Sequence, residues 1–233
     1  MIKAVIFDLD NTLYAYDPAH AAGFHAVTEY AEKEFVIVPE RFRELHRQAD
    51  RVLRSHAGES AAAIHSRLIR YQLLLEGEGL PIFHAPRMAQ CYWDAFMAQV
   101  KPEAGTREAL EALRGMELRI GVGTNMTAGQ QYVKLERLGL LERVDFLVSS
   151  EEVSAEKPDR RLFDCCVEKA GCRAEECLFV GDDAEKDVCG ALSAGLRPVF
   201  LAREGEQADV PEGTPVIRCI DELPSLLNQC LEG

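Results

Sequence analysis

Two patterns of apolar residues divide the chain. The opening run, residues 3–9, is apolar and β-branched and ends among acidic residues, which is typical of a buried central strand. From about residue 14 to residue 100, apolar residues instead recur at helical spacing. Beyond residue 101, short apolar runs alternate with amphipathic segments, the pattern of a parallel sheet with helices on both faces. The sequence therefore predicts an α/β fold whose first strand is followed by a helical insertion.

The α/β part is predicted to comprise residues 1–14 and 101–233, folded as a Rossmann-like parallel sheet with helices on both faces. After the first strand, further strands are predicted at 117–123, 146–148, 177–181 and 198–201, with a weaker one at 215–218. Helices are predicted at 106–114, 127–138, 160–170, 184–194 and 221–231.

The insertion, residues 15–100, is predicted to be a four-helix subdomain. Proline and glycine residues between the apolar segments separate its helices, which are expected at 19–34, 40–56, 60–76 and 84–99. In the third segment the apolar positions recur at helical spacing, at Leu68, Ile69, Leu73 and Leu75. This spacing favours a compact helical bundle.

Composition and net charge limit the kinds of molecule that the protein is expected to bind. With 233 residues and 47% hydrophobic content, the chain can bury a sizeable core. Its formal charge of −13 disfavours nucleic acid polymers and anionic membranes as partners, since their charge has the same sign. A small phosphorylated metabolite stays possible, because one Lys, a metal ion and backbone N–H groups can form a local positive site. The sequence predicts no oligomeric state.

The N-terminus and the cysteines indicate the cellular compartment in which the protein is expected to act. The apolar run before Asp8 is four residues long, too short for a signal peptide or a membrane span. The eight cysteines include no CxxC pair, and we interpret them as reduced thiols of the core. Both features lead us to expect a cytoplasmic protein.

Polar residues directly after predicted strands are candidates for chemistry, because open α/β sheets bind ligands at the carboxyl ends of their strands. Asp8 and Asp10 follow the first strand and are two residues apart, so their carboxylates can point to the same side. Two acids this close repel each other unless a cation or a shared proton relieves them. The alternative interpretation is a pair of turn and helix-cap acids.

Two further candidates lie near predicted helix starts. Thr124 and Asn125 precede the helix of 127–138, where Thr127 and Gln130 have capping-box spacing, and a helix N-terminus favours a phosphate. Ordinary helix capping explains such a stretch more often than ligand binding does. Lys157 precedes a helix initiated by a proline, and its ammonium could neutralise a phosphoryl oxygen if it meets the other candidates. A lone lysine is otherwise a solvated surface residue.

A second acidic group follows the predicted strand 177–181. It contains Asp182, which is expected to face the strand-end crevice, and Asp183 and Asp187, which have helical i,i+4 spacing. Mg²⁺ prefers a few carboxylates completed by water and substrate phosphate. Asp8 and Asp182 are therefore the predicted magnesium ligands.

In this order, the motifs resemble those of the haloacid dehalogenase superfamily, in particular its phosphatase branch with an α-helical cap after the first strand. The match spans nearly the whole chain. The segment from Asp8 to Thr12 is similar to the DxDxT nucleophile loop, Thr124 to the hydroxyl motif, Lys157 to the lysine motif, and Gly181-Asp182 with Asp187 to the GDxxxxD motif. The dehalogenases of this superfamily lack the second acid, Asp10, and need no metal, so the resemblance implies a phosphatase.

The resemblance also implies roles for the motif residues. Asp8 would be the nucleophile that forms an aspartyl phosphate, and Asp10 the general acid and then the base that activates water. The Asp10 backbone carbonyl would join Asp8 and Asp182 around Mg²⁺. Thr124, Asn125 and Lys157 would hold the substrate phosphate.

Two further acids are expected to contact the metal site without binding the metal directly. The resemblance implies that Asp187 orients Lys157 or a metal-bound water. Asp183 occupies a position where relatives often carry Ser or Thr, and we assign it as an outer partner of the metal.

The segments around 123–139 and 150–153 most resemble nucleotidase-like members, so the resemblance implies a nucleoside 5′-monophosphate as one candidate substrate. Capped relatives also act on sugar phosphates and other small phosphates, and fold analogy does not choose among them. One alternative is a phosphomutase of a sugar phosphate, which a basic cap residue aimed into the site would favour. A non-catalytic binding module is a further alternative, disfavoured because all four catalytic positions are filled. We interpret the polar and aromatic cap residues as packing or surface residues and not as ligands, namely His20, His25, Arg67, Arg70, Tyr92 and Trp93.

Overall fold

The computed structural model describes residues 1–58, 61–203 and 209–231, the last three without their side chains. The chain divides into two compact units, Met1–Ala15 with Lys101–Gly233, and Tyr16–Val100. We call the first the α/β unit and the second the helical unit. No helix in the described ranges is both long and apolar enough to cross a membrane.

The α/β unit is built on one parallel sheet. Within the described residues its six strands have the order β3-β2-β1-β4-β5-β6, and each neighbouring pair is parallel. The strands are β1 (Ala4–Phe7), β2 (Arg119–Thr124), β3 (Phe146–Ser149), β4 (Cys177–Gly181), β5 (Arg197–Leu201) and β6 (Val216–Ile217). The predicted strands and the α/β class are confirmed, with bounds that differ by one or two residues at most ends.

The first strand lies inside the sheet because it is apolar on both faces. All four residues of β1 are fully buried. Phe7, its last residue, pairs in register with Val122 of β2 on one side and with Val180 of β4 on the other. The carboxyl ends of these three strands therefore lie next to each other.

The helical unit contains α1 (Tyr16–Phe35), α2 (Pro39–Ala57), α3 (Arg67–Gly77) and α4 (Ala85–Gln99). The predicted third helix is wrong at its start, whereas the first begins at Tyr16 instead of residue 19 and the fourth at Ala85 instead of residue 84. The third does not run unbroken from residue 60, because a 3₁₀ turn (Ala62–His65) and an extended Ser66 precede α3, and the Ser66 hydroxyl caps α3 by accepting the N–H of Ile69. The fourth is preceded by a separate 3₁₀ turn, Ile82–His84. Ser60 lies outside the described residues.

The apolar pattern of the third helix does not give its buried face. Leu68 and Ile69 are 45% and 36% exposed, whereas Arg67 and Arg70, expected to pack or to face solvent, are each 5% exposed. Leu75 is buried as expected. Helix α3 therefore turns two arginines inward and two apolar residues outward.

The helices of the α/β unit are α5 (Thr106–Gly115), α6 (Ala128–Leu138), α7 (Ser150–Val153), α8 (Arg160–Ala170), α9 (Gly190–Ser193) and α10 (Leu223–Leu231). The short α7 was not predicted. The predicted helix 184–194 begins as a π-helix, Ala184–Cys189, before α9, and a 3₁₀ turn, Ile220–Glu222, precedes α10. Phe163 and Cys166 of α8 pack with Ile6 and Phe179 of the sheet in a buried apolar cluster.

The seven cysteines whose side chains the structure describes are free thiols. Cys166 and Cys177 are buried in the core, but Cys189 and Cys219 are exposed. The interpretation of the cysteines as core residues therefore holds for only part of the set.

Candidate functional site

Three predicted site residues meet at the carboxyl ends of adjacent strands. Asp8 follows β1 directly, Thr124 is the last residue of β2, and Asp182 follows β4. The backbone N–H of Asp8 donates to the Val180 carbonyl at 2.8 Å, which continues the sheet ladder to the aspartate. The Thr12 hydroxyl donates to Asp182 Oδ1 at 3.3 Å and so ties the loop after β1 to the loop after β4.

Lys157 lies between two aspartates of this edge. Its Nζ is 2.6 Å from Asp8 Oδ1 and 2.7 Å from Asp187 Oδ1, and the residue is 5% exposed. Burial lowers the pKa of Lys157, but the carboxylates of Asp187 and Asp8 outweigh it and hold that pKa above its usual value. The lysine is therefore a buried group whose charged form is favoured, and it contacts the candidate nucleophile.

Asp8, Asp182 and Asp187 form a compact acidic cluster. One carboxylate oxygen from each lies within 4.8 Å of the others. Burial raises the pKa of Asp8 to about 7, against the opposing effect of Lys157 and with added repulsion from Asp187 and Asp182. Burial, with repulsion from Asp187, raises the pKa of Asp182 to about 6. Carboxylates this close favour a bound cation, because a nearby positive charge stabilises their ionised forms.

The donor set fits a hard divalent cation. Mg²⁺ is bound through one or two carboxylates together with water and substrate oxygens. Asp8 and Asp182 can supply such oxygens, and Asp187 is less available because its Oδ1 is engaged by Lys157 and its Oδ2 accepts the N–H of Asp183 at 3.0 Å.

Glycine at position 181 is a steric requirement of this cluster. A Cβ at Gly181 would lie 2.2 Å from Asp187 Oδ2, far inside van der Waals contact. The absence of a side chain at the end of β4 thus lets the Asp187 carboxylate approach the strand end and reach Lys157.

Asp183 faces away from the cluster. Its Oδ1 accepts the N–H groups of Glu185 at 3.1 Å and Lys186 at 2.8 Å, and its Oδ2 is 2.6 Å from Lys186 Nζ. Although burial acts in the opposite direction, these contacts with Lys186 hold the pKa of Asp183 below its usual value. The carboxylate caps the helical turn that follows β4.

Asp10 is held by a group of side chains that the sequence analysis did not find. Lys134 Nζ lies 2.6 Å from its Oδ1 and 2.9 Å from its Oδ2, and Lys134 is fully buried. The Tyr14 hydroxyl donates to Asp10 Oδ1, and Gln131 Nε2 is 3.5 Å from Oδ2. The second acid is thus fixed by an ammonium and a hydroxyl group, with an amide at longer range.

A signal for this group exists in the sequence of α6. Its buried residues are Gln131, Lys134, Leu135 and Leu138, spaced as one stripe of the helix. A glutamine and a lysine in the buried stripe of an amphipathic helix indicate polar partners at the site that the helix faces.

Thr124 and Asn125 lie in the same network. The buried Thr124 hydroxyl accepts Gln131 Nε2 at 2.7 Å, and Asn125 Oδ1 accepts the backbone N–H of Lys157 at 2.8 Å. The predicted capping box at Thr127 is wrong, because the Thr127 side chain makes no cap hydrogen bond. The N–H of Ala128 instead donates to Glu151 Oε2 at 2.8 Å, so an acid from α7 caps α6.

Comparison with known proteins identifies the family. The sequence model of the family of haloacid dehalogenase-like hydrolases matches residues 2–195 of this chain. The ribulose-1,5-bisphosphate 5-phosphatase of Halopiger xanaduensis is 36% identical over 91% of this chain and 89% of its own length. The pyrimidine 5′-nucleotidase YjjG of Escherichia coli is 36% identical over 60% of this chain and 63% of its own.

A solved structure agrees with the fold. The 2-haloacid dehalogenase of Pseudomonas syringae has a TM-score of 0.80 with 25% identity, and the match covers 99% of this chain and 100% of that one. Of the two relatives reported above, one is named a phosphatase and the other a nucleotidase. The family match over most of the length confirms the predicted family, and the chain belongs to the haloacid dehalogenase-like hydrolases.

Proposed function

We propose that the chain is a Mg²⁺-dependent phosphatase that removes phosphate from a small phosphorylated metabolite through an aspartyl phosphate on Asp8. The observation that carries the proposal is the contact of 2.6 Å between Asp8 and the buried Lys157 beside the acidic cluster. We further propose that it acts in the cytoplasm, where its free thiols stay reduced.

The reaction proceeds in two displacements at phosphorus. An Asp8 oxygen forms a bond to phosphorus while the bond to the leaving oxygen breaks, and Asp10 gives that oxygen a proton. Water then attacks the phosphorus of the aspartyl phosphate and gives a proton to Asp10, which regenerates the Asp8 carboxylate and releases inorganic phosphate. Lys157 and the Thr124 hydroxyl offer donors to the phosphoryl oxygens.

The metal-binding residues of the proposal are Asp8, Asp182 and the backbone carbonyl of Asp10. When bound, Mg²⁺ supplies positive charge that offsets the repulsion between the nucleophile and the substrate phosphate. Asp187 acts behind them by holding Lys157 in place. Asp183 is proposed as an outer partner at most, because Lys186 and two backbone groups occupy its carboxylate.

A phosphorylated sugar is the first candidate for the substrate. One relative, matched over 91% of this chain, is named for a sugar bisphosphate. A nucleoside 5′-monophosphate is the second candidate, supported by the nucleotidase relative over a shorter part of the chain. The helical unit is proposed to act as a cap that selects between leaving groups.

A panel of phosphorylated sugars and nucleotides, assayed for released inorganic phosphate, shows which of the two substrate classes is hydrolysed faster.

The test of the activity is hydrolysis of an aryl phosphate by the purified protein, with Mg²⁺ and with chelator. We expect turnover only with Mg²⁺, and Asp8→Asn should lower kcat by at least about 10³-fold because an amide is a poor nucleophile. Circular dichroism verifies that the variant is folded. Turnover that persists in Asp8→Asn would refute the covalent route, and no turnover by the folded wild type would favour a binding module.

Adjacent aspartates offer a matched test of metal binding. Asp182→Asn should weaken Mg²⁺ binding at least about 10-fold, since it removes a charged ligand from the cluster. Asp183→Asn removes the same charge one residue away and should change the Mg²⁺ affinity less than about 3-fold, because electrostatic contributions of outer carboxylates are screened. Isothermal titration calorimetry measures both affinities. Equal losses in the two variants would contradict the assignment of Asp182 as the ligand.

Lys134 is proposed as a positioning residue for the acid role of Asp10. Lys134→Met should lower kcat/KM for an alkyl phosphate about 10²-fold, because general acid catalysis contributes about 10² to 10⁴ and an alkoxide is a poor leaving group. The loss should be smaller for p-nitrophenyl phosphate, whose leaving group needs no proton.

The comparison uses kcat/KM, which covers only the steps up to departure of the leaving group. Lys186→Met is the matched control, since it removes a lysine with an ion pair of equal length, 2.6 Å, from the neighbouring Asp183. If Lys134→Met lowers kcat/KM equally for the alkyl phosphate and for p-nitrophenyl phosphate, Lys134 has a structural role and the positioning role is refuted.

A further inference from the structure

The helical unit contains a second polar cavity, which we call the arginine pocket. It has a volume of about 430 Å³ and is lined by residues of that unit alone, including the five arginines Arg47, Arg51, Arg54, Arg67 and Arg70. Among the described residues that line it, Asp50 is the one carboxylate. The lining is therefore strongly positive, although the chain as a whole carries a formal charge of −13.

Arg67 is a buried cation with no carboxylate partner among the described residues. Its Nη2 donates to the hydroxyl groups of Tyr16 and Tyr92, each at 3.1 Å, and its Nη1 donates to the His65 carbonyl at 3.4 Å. Its Nε is buried and has no hydrogen-bond partner in the described structure. The Arg67 guanidinium also lies over the Tyr92 and Trp93 rings, with its Cζ 4.6 and 5.9 Å from their centroids. These partners are all neutral, so none is a counter-ion for the Arg67 charge, and a buried charge without a counter-ion is costly.

Arg70 is only partly compensated. Its Nη2 lies 2.7 Å from Asp50 Oδ1 and also donates to the Ile64 carbonyl, while its Nε has no partner in the part of the chain that is described. Asp50 is shared, because its Oδ2 accepts Arg54 Nε at 2.9 Å. One carboxylate thus serves two guanidinium groups.

The orientation of α3 makes this arrangement unlike ordinary packing. The helix buries Arg67 and Arg70 and leaves Leu68 and Ile69 exposed, although burial of the apolar pair would be the favourable choice for stability. Burial of two arginines in place of two apolar side chains lowers the stability of the fold. A bound ligand of negative charge would offset this loss.

Neighbouring histidines respond to the same positive field. Burial first, and then the charges of Arg67 and Arg70, lower the pKa of His20 to about 4 and that of His46 to about 3. His46 Nε2 is buried without a partner among the described residues. The pocket thus holds several groups that an anion would stabilise together.

We propose that the arginine pocket binds a phosphate group. Guanidinium forks match phosphate oxygens in pairs, and the Tyr16 hydroxyl and the histidines of the pocket add neutral donors. The phosphate has two sources, a second phosphate group of the substrate or free inorganic phosphate. The first source rests on the proposed function and specifies the substrate as a bisphosphate, whereas the second does not depend on it.

The first measurement is calorimetric titration of inorganic phosphate into the full chain with chelator present. Without metal, the acidic cluster of the α/β unit repels phosphate, so binding reports on the arginine pocket. The variant is Arg47→Gln with Arg51→Gln, two exposed residues of the pocket that make no ion pair with a described residue, so the fold is expected to survive. The Kd should rise at least about 10-fold, as expected when charged hydrogen bonds are lost.

The matched control is Arg41→Gln with Arg43→Gln on the same helix. It removes the same charge, but these arginines pair with Glu44, Glu78 and Glu40 and do not line the pocket. Phosphate affinity should stay at the wild-type value. A second variant, Arg67→Gln, tests the buried cation and should also raise the Kd, with its fold checked by circular dichroism.

The second measurement separates the two sources. It is the ratio of kcat/KM for a sugar bisphosphate to that for the matching monophosphate. If the ratio falls at least about 10-fold in the Arg47 and Arg51 variant and not in the control, the phosphate belongs to the substrate. If the Kd rises while the ratio is unchanged, the pocket binds free phosphate.

The proposal is overturned if wild type does not bind phosphate in chelator, or if the pocket variants and the control bind it equally. Absence of any hydrolysis together with phosphate binding would instead refute the proposed function and leave the anion site standing. The two failures are therefore distinguishable.

Discussion

The contact of Lys157 with Asp8 and Asp187 is the interaction on which the candidate site depends. Three carboxylates converge in a largely buried region, and their mutual repulsion would open the site without a cation between them. The lysine ammonium lies 2.6 and 2.7 Å from two of the three acids. With all groups ionised, three acids and one lysine leave a formal deficit of two positive charges, which a divalent cation would supply.

Sheet topology explains why residues so distant in sequence form this contact. Asp8 and Asp182 leave neighbouring parallel strands at the same edge, since β1 lies between β2 and β4. Asp187 lies in the π-helix that follows Asp182. Lys157 comes from a loop, and the hydrogen bond from its N–H to Asn125 Oδ1 holds that loop in place. Gly181 completes the arrangement because any side chain there would displace Asp187. The site is thus a consequence of parallel strand order and a few loop contacts.

The strand-end rule was enough to select Asp8, Thr124 and Asp182 from the sequence, because each follows a distinct apolar run. Lys134 could not be found in this way, since it lies in the middle of a helix and meets Asp10 only through the packing of α6. Likewise, the capping pattern at Thr127 did not predict that Glu151 from another helix would take its place. Such contacts depend on tertiary structure, which local spacing does not determine.

In the helical unit, the spacing of apolar residues predicts where a helix lies but not which of its faces is buried. Helical spacing correctly placed α3 along most of its length, yet the same apolar residues did not identify its inner face. Periodicity assumes that burial of apolar area decides the rotation of a helix. In α3 two arginines are buried instead, so a polar requirement of the helical unit overrides that rule.

The most direct test of the account is to locate the phosphorylated residue during turnover. The wild-type protein is mixed with excess substrate and Mg²⁺, quenched in acid and treated with borohydride, which reduces an aspartyl phosphate to homoserine, and its peptides are analysed by mass spectrometry. The account predicts homoserine at position 8 and an unmodified aspartate at position 10. Modification at another residue, or turnover with no modified residue under conditions that trap aspartyl phosphates, would contradict it.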